Sequence, residues 1–99
     1  MKYYAVVLVS VTDDAWINEY LPRVNELVKR HGGNYLARTG TMERIEGEGA
    51  LPSVVAVIEW PSKDAAKAFY KDPEYQPYLR RRLAGARNDF LLVAGEVLK

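Results

Sequence analysis

The sequence contains no cysteine and only one histidine, His31. The first absence removes disulfide frameworks, thiolate zinc sites, iron–sulfur clusters and cysteine nucleophiles together. The second leaves too few imidazoles for a multi-histidine metal site. Excess charge of either sign is lacking too. With 14 Lys and Arg against 13 Asp and Glu, no global field draws the chain to nucleic acid or anionic lipid. No apolar run is long enough to span a bilayer. The apolar opening, residues 1–11, meets Thr12-Asp13-Asp14 at once with no small-residue cleavage site, so it reads as the first strand of a cytoplasmic protein. No glycine-rich loop leads from a strand into a helix, which leaves nucleotide phosphate without a cradle. Ser10, Ser53 and Ser62 lack a histidine at triad spacing, and the carboxylates are scattered, against calcium or two-carboxylate hydrolysis.

What remains is an ordinary globular composition, 48% hydrophobic and 27% charged, over 99 residues that make one domain, 1–99. Residues 2–11 are apolar on both alternating sets, the mark of a strand covered on both faces. Thr12 is a good N-cap, and Asp13 and Asp14 suit the positive end of a helix. Trp16, Ile17, Tyr20, Leu21, Val24, Leu27 and Val28 then fall on one helical stripe, with a bend or a break into two parts expected at Pro22. Gly32-Gly33 ends that helix. Asn34 to about Ile45 reads as a strand kinked at Gly40, and Gly47, Gly49 and Pro52 as a turn. Val54–Trp60 is a β-branched strand, and Ser62 caps a second helix. Asp72-Pro73-Glu74 signals another helix start, and Asp89–Val97 the last strand.

Strand, helix, strand, strand, helix, strand with right-handed crossovers gives an α+β class, ferredoxin-like βαββαβ arrangement on a four-stranded antiparallel sheet. Two helices cover one face of such a sheet, yet both faces are apolar, as in Val54 to Ile58 and Phe90 to Val93. The uncovered face predicts a homodimer with the two sheets packed together.

Arg38 is the most informative polar residue, a charge flanked by Leu36 and Ala37 in a strand. A hairpin turning near Glu48 sets it opposite Ile58 or Glu59. That gives two compatible readings: a structural Arg38–Glu59 pair, or a guanidinium that holds a substrate carboxylate or enolate while Glu59 orients it. His31 suits proton transfer near neutrality, and equally suits the negative end of its helix. Tyr35, Tyr70, Tyr75 and Tyr78, with Trp16 and Trp60, serve a pocket for flat organic molecules or equally a core or dimer seam, and Phe69-Tyr70 reads most simply as a helix end. Among Arg80, Arg81 and Arg82, Arg80 is the preferred ligand contact or partner of Glu74; a nucleic-acid patch is disfavoured by the small net charge.

The strings Gly32-Gly33-Asn34-Tyr35-Leu36-Ala37-Arg38-Thr39-Gly40, Val57-Ile58-Glu59-Trp60-Pro61-Ser62, Ala68-Phe69-Tyr70 and Asp72-Pro73-Glu74-Tyr75 resemble, in order and spacing, a bacterial family of uncharacterised proteins, domain of unknown function 1330. The resemblance runs from Tyr4 to about Gly95. Thr39 stands where the family often has glycine, and Trp60 where phenylalanine is common. The resemblance implies a dimeric α+β barrel, whose superfamily includes cofactor-independent monooxygenases, muconolactone isomerases, dehydratases and haem enzymes; it implies no reaction. It also sets Tyr75 at the mouth of a cleft. The combined expectation is a cofactor-independent, metal-free enzyme for a small carbonyl or aromatic acid, with Arg38, Tyr35 and His31 catalytic and Glu59, Trp60, Phe69, Tyr75 and Arg80 against substrate. A non-catalytic metabolite-binding or structural dimer is the alternative.

Overall fold

A computed structural model describes residues 1–99. Its sheet is antiparallel in the order β2-β3-β1-β4, with β1 Tyr3–Val11, β2 Asn34–Thr39, β3 Val54–Trp60 and β4 Ala86–Ala94. Three helices, α1 Ile17–Arg30, α2 Lys63–Lys71 and α3 Gln76–Gly85, lie on one face. This is the ferredoxin-like arrangement. The sequence pattern dictates it because β1 is central: Ala5, Val7 and Val9 point into the helices and are buried, while Tyr4, Val6 and Leu8 point the other way.

Local chemistry sets the element ends. The Thr12 and Asp13 amides both donate to the Gly85 carbonyl, and Asp13 Oδ1 accepts from Ala15, so α1 begins only at Ile17 and Thr12 does not cap it. Helix α1 runs unbroken through Pro22, which excludes the two-part alternative. Gly32 ends it at φ +84°, and a β-carbon on Gly33 would stand 2.7 Å from both Trp60 and Val28 side chains. Ser62 Oγ accepts from the Ala65 amide at 3.1 Å, the cap read from the sequence.

Three further elements have other bounds than the sequence reading gave, the last strand also ending at Ala94 and not at Val97. Strand β2 stops at Thr39, whose hydroxyl accepts from the Thr41 amide and turns the chain away, leaving Ile45 exposed. Asp72-Pro73-Glu74 forms a turn in which Asp72 Oδ1 accepts from Glu74, and α3 starts three residues later, at Gln76. Strand β4 begins at Ala86 because it pairs with the whole of β1, from Val11↔Ala86 to Tyr3↔Ala94.

The core lies between the sheet and the helices, centred on Trp60, Phe69, Tyr75, Leu27 and Val24. Nothing covers the opposite face, where Leu91 and Val93 are 56% and 46% exposed. No helix is long and apolar enough to cross a membrane.

Candidate functional site

A cavity of about 230 Å³ opens between α1 and the helix-covered face of the sheet, and Tyr75 and Arg82 of the α3 region line it as well. Fifteen of its 19 lining residues are hydrophobic, among them Val7, Ile58, Leu21 and Phe90. A dry cavity of about 150 Å³ accommodates benzene, so this one is scaled for a single substituted ring.

Its polar end is built by α3. Tyr75, Leu79 and Arg82 lie four and three residues apart, so they fall on the same inward face, and all three are buried. Arg82 is 3% exposed. Its Nε donates to Tyr20 Oη at 3.1 Å, Nη2 to Tyr75 Oη at 3.2 Å and Nη1 to Asn88 Oδ1 at 2.7 Å. Asn88 is itself anchored, Nδ2 donating to the Ala86 carbonyl at 3.0 Å. The two phenols share one hydrogen bond, Tyr20 Oη to Tyr75 Oη, at 2.8 Å. None of the ion pairs in the chain involves Arg82. Burial works against its charge, but the Tyr20 and Tyr75 oxygens outweigh that and hold it cationic. Burial also drives the Tyr20 phenol well above its ordinary range, so it stays protonated.

The other cation is at the β2 side. A bulge between Tyr35 and Ala37 inserts Leu36, so Tyr35, opposite Ile58, and Arg38, opposite Ala56, lie on the same face. Without it, residues three apart would point oppositely. The exposed Arg38 guanidinium lies 4.6 Å over the Tyr35 ring and donates to Asn25 Oδ1 at 2.6 Å. Burial raises the Tyr35 phenol, and nearby Arg38 partly opposes it.

Of the residues singled out in the sequence, the cavity brings together Arg38, Tyr35, Phe69 and Tyr75. Tyr75 is 1% exposed, on the interior of the cavity and not at a mouth. The Arg38–Glu59 pair does not form. Arg38 lies opposite Ala56, while Asn34 faces Glu59, whose carboxylate points to the outer face and binds Lys2 Nζ at 2.8 Å. Trp60 is fully buried behind the cavity, 5.2 Å from the Phe69 ring, with no partner for its indole N–H. His31 ends α1 and bonds Asp72 Oδ2 at 2.7 Å, outside the cavity. Arg80 is exposed and does not line it, and Glu74 is bound instead by Arg23 and Arg30. The sequence reading missed Arg82. The signal that finds it is helical phase, since Leu79 fixes the inward face and Arg82 falls on it, whereas Arg80 and Arg81 do not. No cluster of His, Asp and Glu is arranged to hold a metal ion.

Solved structures share this fold. A protein of unknown function from Rhodopseudomonas palustris superposes with a TM-score of 0.81 at 17% identity, over 99% of this chain and 83% of that one. A dimeric ferredoxin-like protein of unknown function from Jannaschia sp. CCS1 gives 0.75 at 12% identity, covering 95% and 99%. SnoaB, a cofactor-independent oxygenase from Streptomyces nogalater, gives 0.69 at 18% identity, covering 98% and 95%. At these identities the likeness is one of fold. No curated protein matches the sequence. A family profile does, over residues 2–96, and the chain thus belongs to the family described as Domain of unknown function (DUF1330).

Proposed function

We propose that this protein is a cofactor-independent enzyme of the isomerase or monooxygenase kind, acting as a homodimer on a small carbonyl or aromatic acid. The observation that carries this reading is Arg82: a buried guanidinium with no carboxylate partner, beside an apolar cavity sized for one ring. A buried cation is costly unless something else justifies it, and negative charge developing on a bound molecule does so. Arg82 is held from three directions, so it needs no reorganisation when that charge forms. Arg38, over the Tyr35 ring at the β2 side, supplies a second set of donors for a carboxylate or a second oxygen. His31, engaged with Asp72 outside the cavity, is given no part. The fold likeness to SnoaB supports the choice of chemistry, and the exposed sheet face together with the dimeric neighbour supports the homodimer.

The test is dioxygen uptake, with chelator present and no flavin added, over a panel of one-ring acidic phenols and 1,3-dicarbonyl compounds. Protein-dependent uptake, or a protein-dependent isomerised product, that survives chelation and is lost in Arg82→Met supports the enzyme. A second reading, binding without turnover, is favoured by one observation: none of the 19 residues lining the cavity is Asp, Glu or His. Ligand bound at Arg82 with no turnover across the panel would select it.

A further inference from the structure

We infer that the cavity takes its ligand as the oxyanion of an acidic phenol or enol, whose proton leaves to solvent and not to a protein base. This rests on the reading of Arg82 as an anion site and names the ligand class for it. Every charged or titratable group that faces the guanidinium or the cavity bears on this, and the neutral Thr39 hydroxyl and Trp16 indole line it as well. Helix α1 contributes Tyr20, β2 contributes Tyr35 and Arg38, and α3 with the residue before it contributes Arg82 and Tyr75. Strand β4 adds the neutral Asn88 amide, bonded to Arg82, and Phe90. Strands β1 and β3 and helix α2 bring only apolar side chains such as Val7, Ile58 and Phe69. The site therefore holds two cations, three phenols and no anion.

Hydrogen-bond accounting sharpens this. Arg82 commits Nε and one hydrogen on each terminal nitrogen, so two of its five N–H groups have no protein acceptor. Tyr20 and Tyr75 each bring one O–H, and a single bond joins their oxygens, so one phenol proton is also left over. The polar end is thus rich in donors and short of acceptors. A neutral phenol or enol arriving there brings another donor, whereas its anion brings only lone pairs. Nor is there a group to take the proton. Tyr20 and Tyr35 are held protonated by burial, and guanidinium is not a base. The ligand O–H must therefore ionise to water, and the two arginines favour the ionised form. A strongly basic alkoxide is excluded by the same reasoning, since its alcohol would not ionise near neutrality without a protein base.

The probe is 4-nitrophenol, whose anion absorbs visibly at longer wavelength than its neutral form. Absorbance titration of the protein-bound probe should give an apparent pKa lower than that of the free probe by about one unit or more, the scale of an opposite charge within a few ångströms. In Arg82→Met the shift should disappear. A bound pKa that is unmoved or raised overturns the inference, as does a shift that survives undiminished in Arg82→Met. Should that variant fail to fold, the sign in the wild-type protein decides alone. Benzoate, a carboxylate already ionised, separates the levels. If benzoate binds and 4-nitrophenol does not, the ligand class is wrong and the anion site stands. If neither binds, both fall.

Discussion

Arg82 is an unusual charge to find where it sits. It takes a full charge out of water and receives only neutral partners in return: two phenol oxygens and an amide oxygen. In a residue kept only for stability, a well-packed apolar side chain of similar length does better. Arg82→Met should therefore leave the melting temperature unchanged or raise it, because Tyr20 and Tyr75 keep their mutual bond and Asn88 keeps its bond to Ala86. A large drop would mean that the guanidinium is a structural strut. Asp72 is a second charge that its neighbours stabilise. The bond from His31 and then the Glu74 amide hold its carboxyl below the ordinary 3.8. A depressed carboxyl stabilises the fold above that ordinary value, and the contribution is lost as pH falls through the lowered one. Asp72→Asn should be less stable than wild type at neutral pH, and the two melting curves should converge below about pH 3.8, measured by circular dichroism. A constant gap down to the lowest pH would contradict this.

At the scale of elements, the site depends on two close fits. The glycine pair after α1 lets the chain pass over Trp60. Gly33→Ala would drive a methyl group to 2.7 Å from Trp60 and Val28, overpacking that costs about 1–3 kcal/mol. Thermal unfolding should show a fall of roughly 4–8 °C for each kcal/mol lost. An unchanged melting temperature would show that Trp60 yields freely. The other fit is the β2 bulge, which brings Tyr35 and Arg38 to one face. The two fits differ in how legible they were. Element order, the Ser62 cap and the glycine stop follow from periodicity and residue type, which are local. The bulge is not local: it is chosen by pairing with β3, and nothing in Leu36-Ala37 announces it. The Arg38–Glu59 pair fails for a separate reason: the strands pair so that Arg38 meets Ala56, a shift from Ile58 or Glu59 that is larger than the single residue of the bulge and reflects where the β2–β3 connection turns. Arg82 was legible in principle, because Leu79 sets the helix phase. Arg80 drew the choice instead, with Glu74 as its expected partner, but Glu74 is bound by Arg23 and Arg30 of α1.

At the scale of the whole molecule, the sheet has one face packed and one bare. Tyr4, Val6, Leu8, Leu91 and Val93 form an apolar surface that a lone chain leaves in water. Sedimentation at micromolar concentration should return twice 11.2 kDa for the wild type and a single-chain mass for Leu91→Asp or Val93→Asp. A wild-type monomer would contradict the dimer. The cavity lies on the opposite face of the sheet, so ligand and partner approach from different sides and neither occupies the other's place. What ties the account together is that Arg82 is held for an anion and not for the fold. The measurement that tests this most directly is melting temperature against benzoate concentration for wild type and Arg82→Met. A ligand that binds only the native state stabilises it by about 2.7 kcal/mol at a hundred times its dissociation constant. The account predicts that the wild-type melting temperature climbs with benzoate, while Arg82→Met starts level or higher and stays flat. Parallel climbs, or a wild type that does not move, would contradict it.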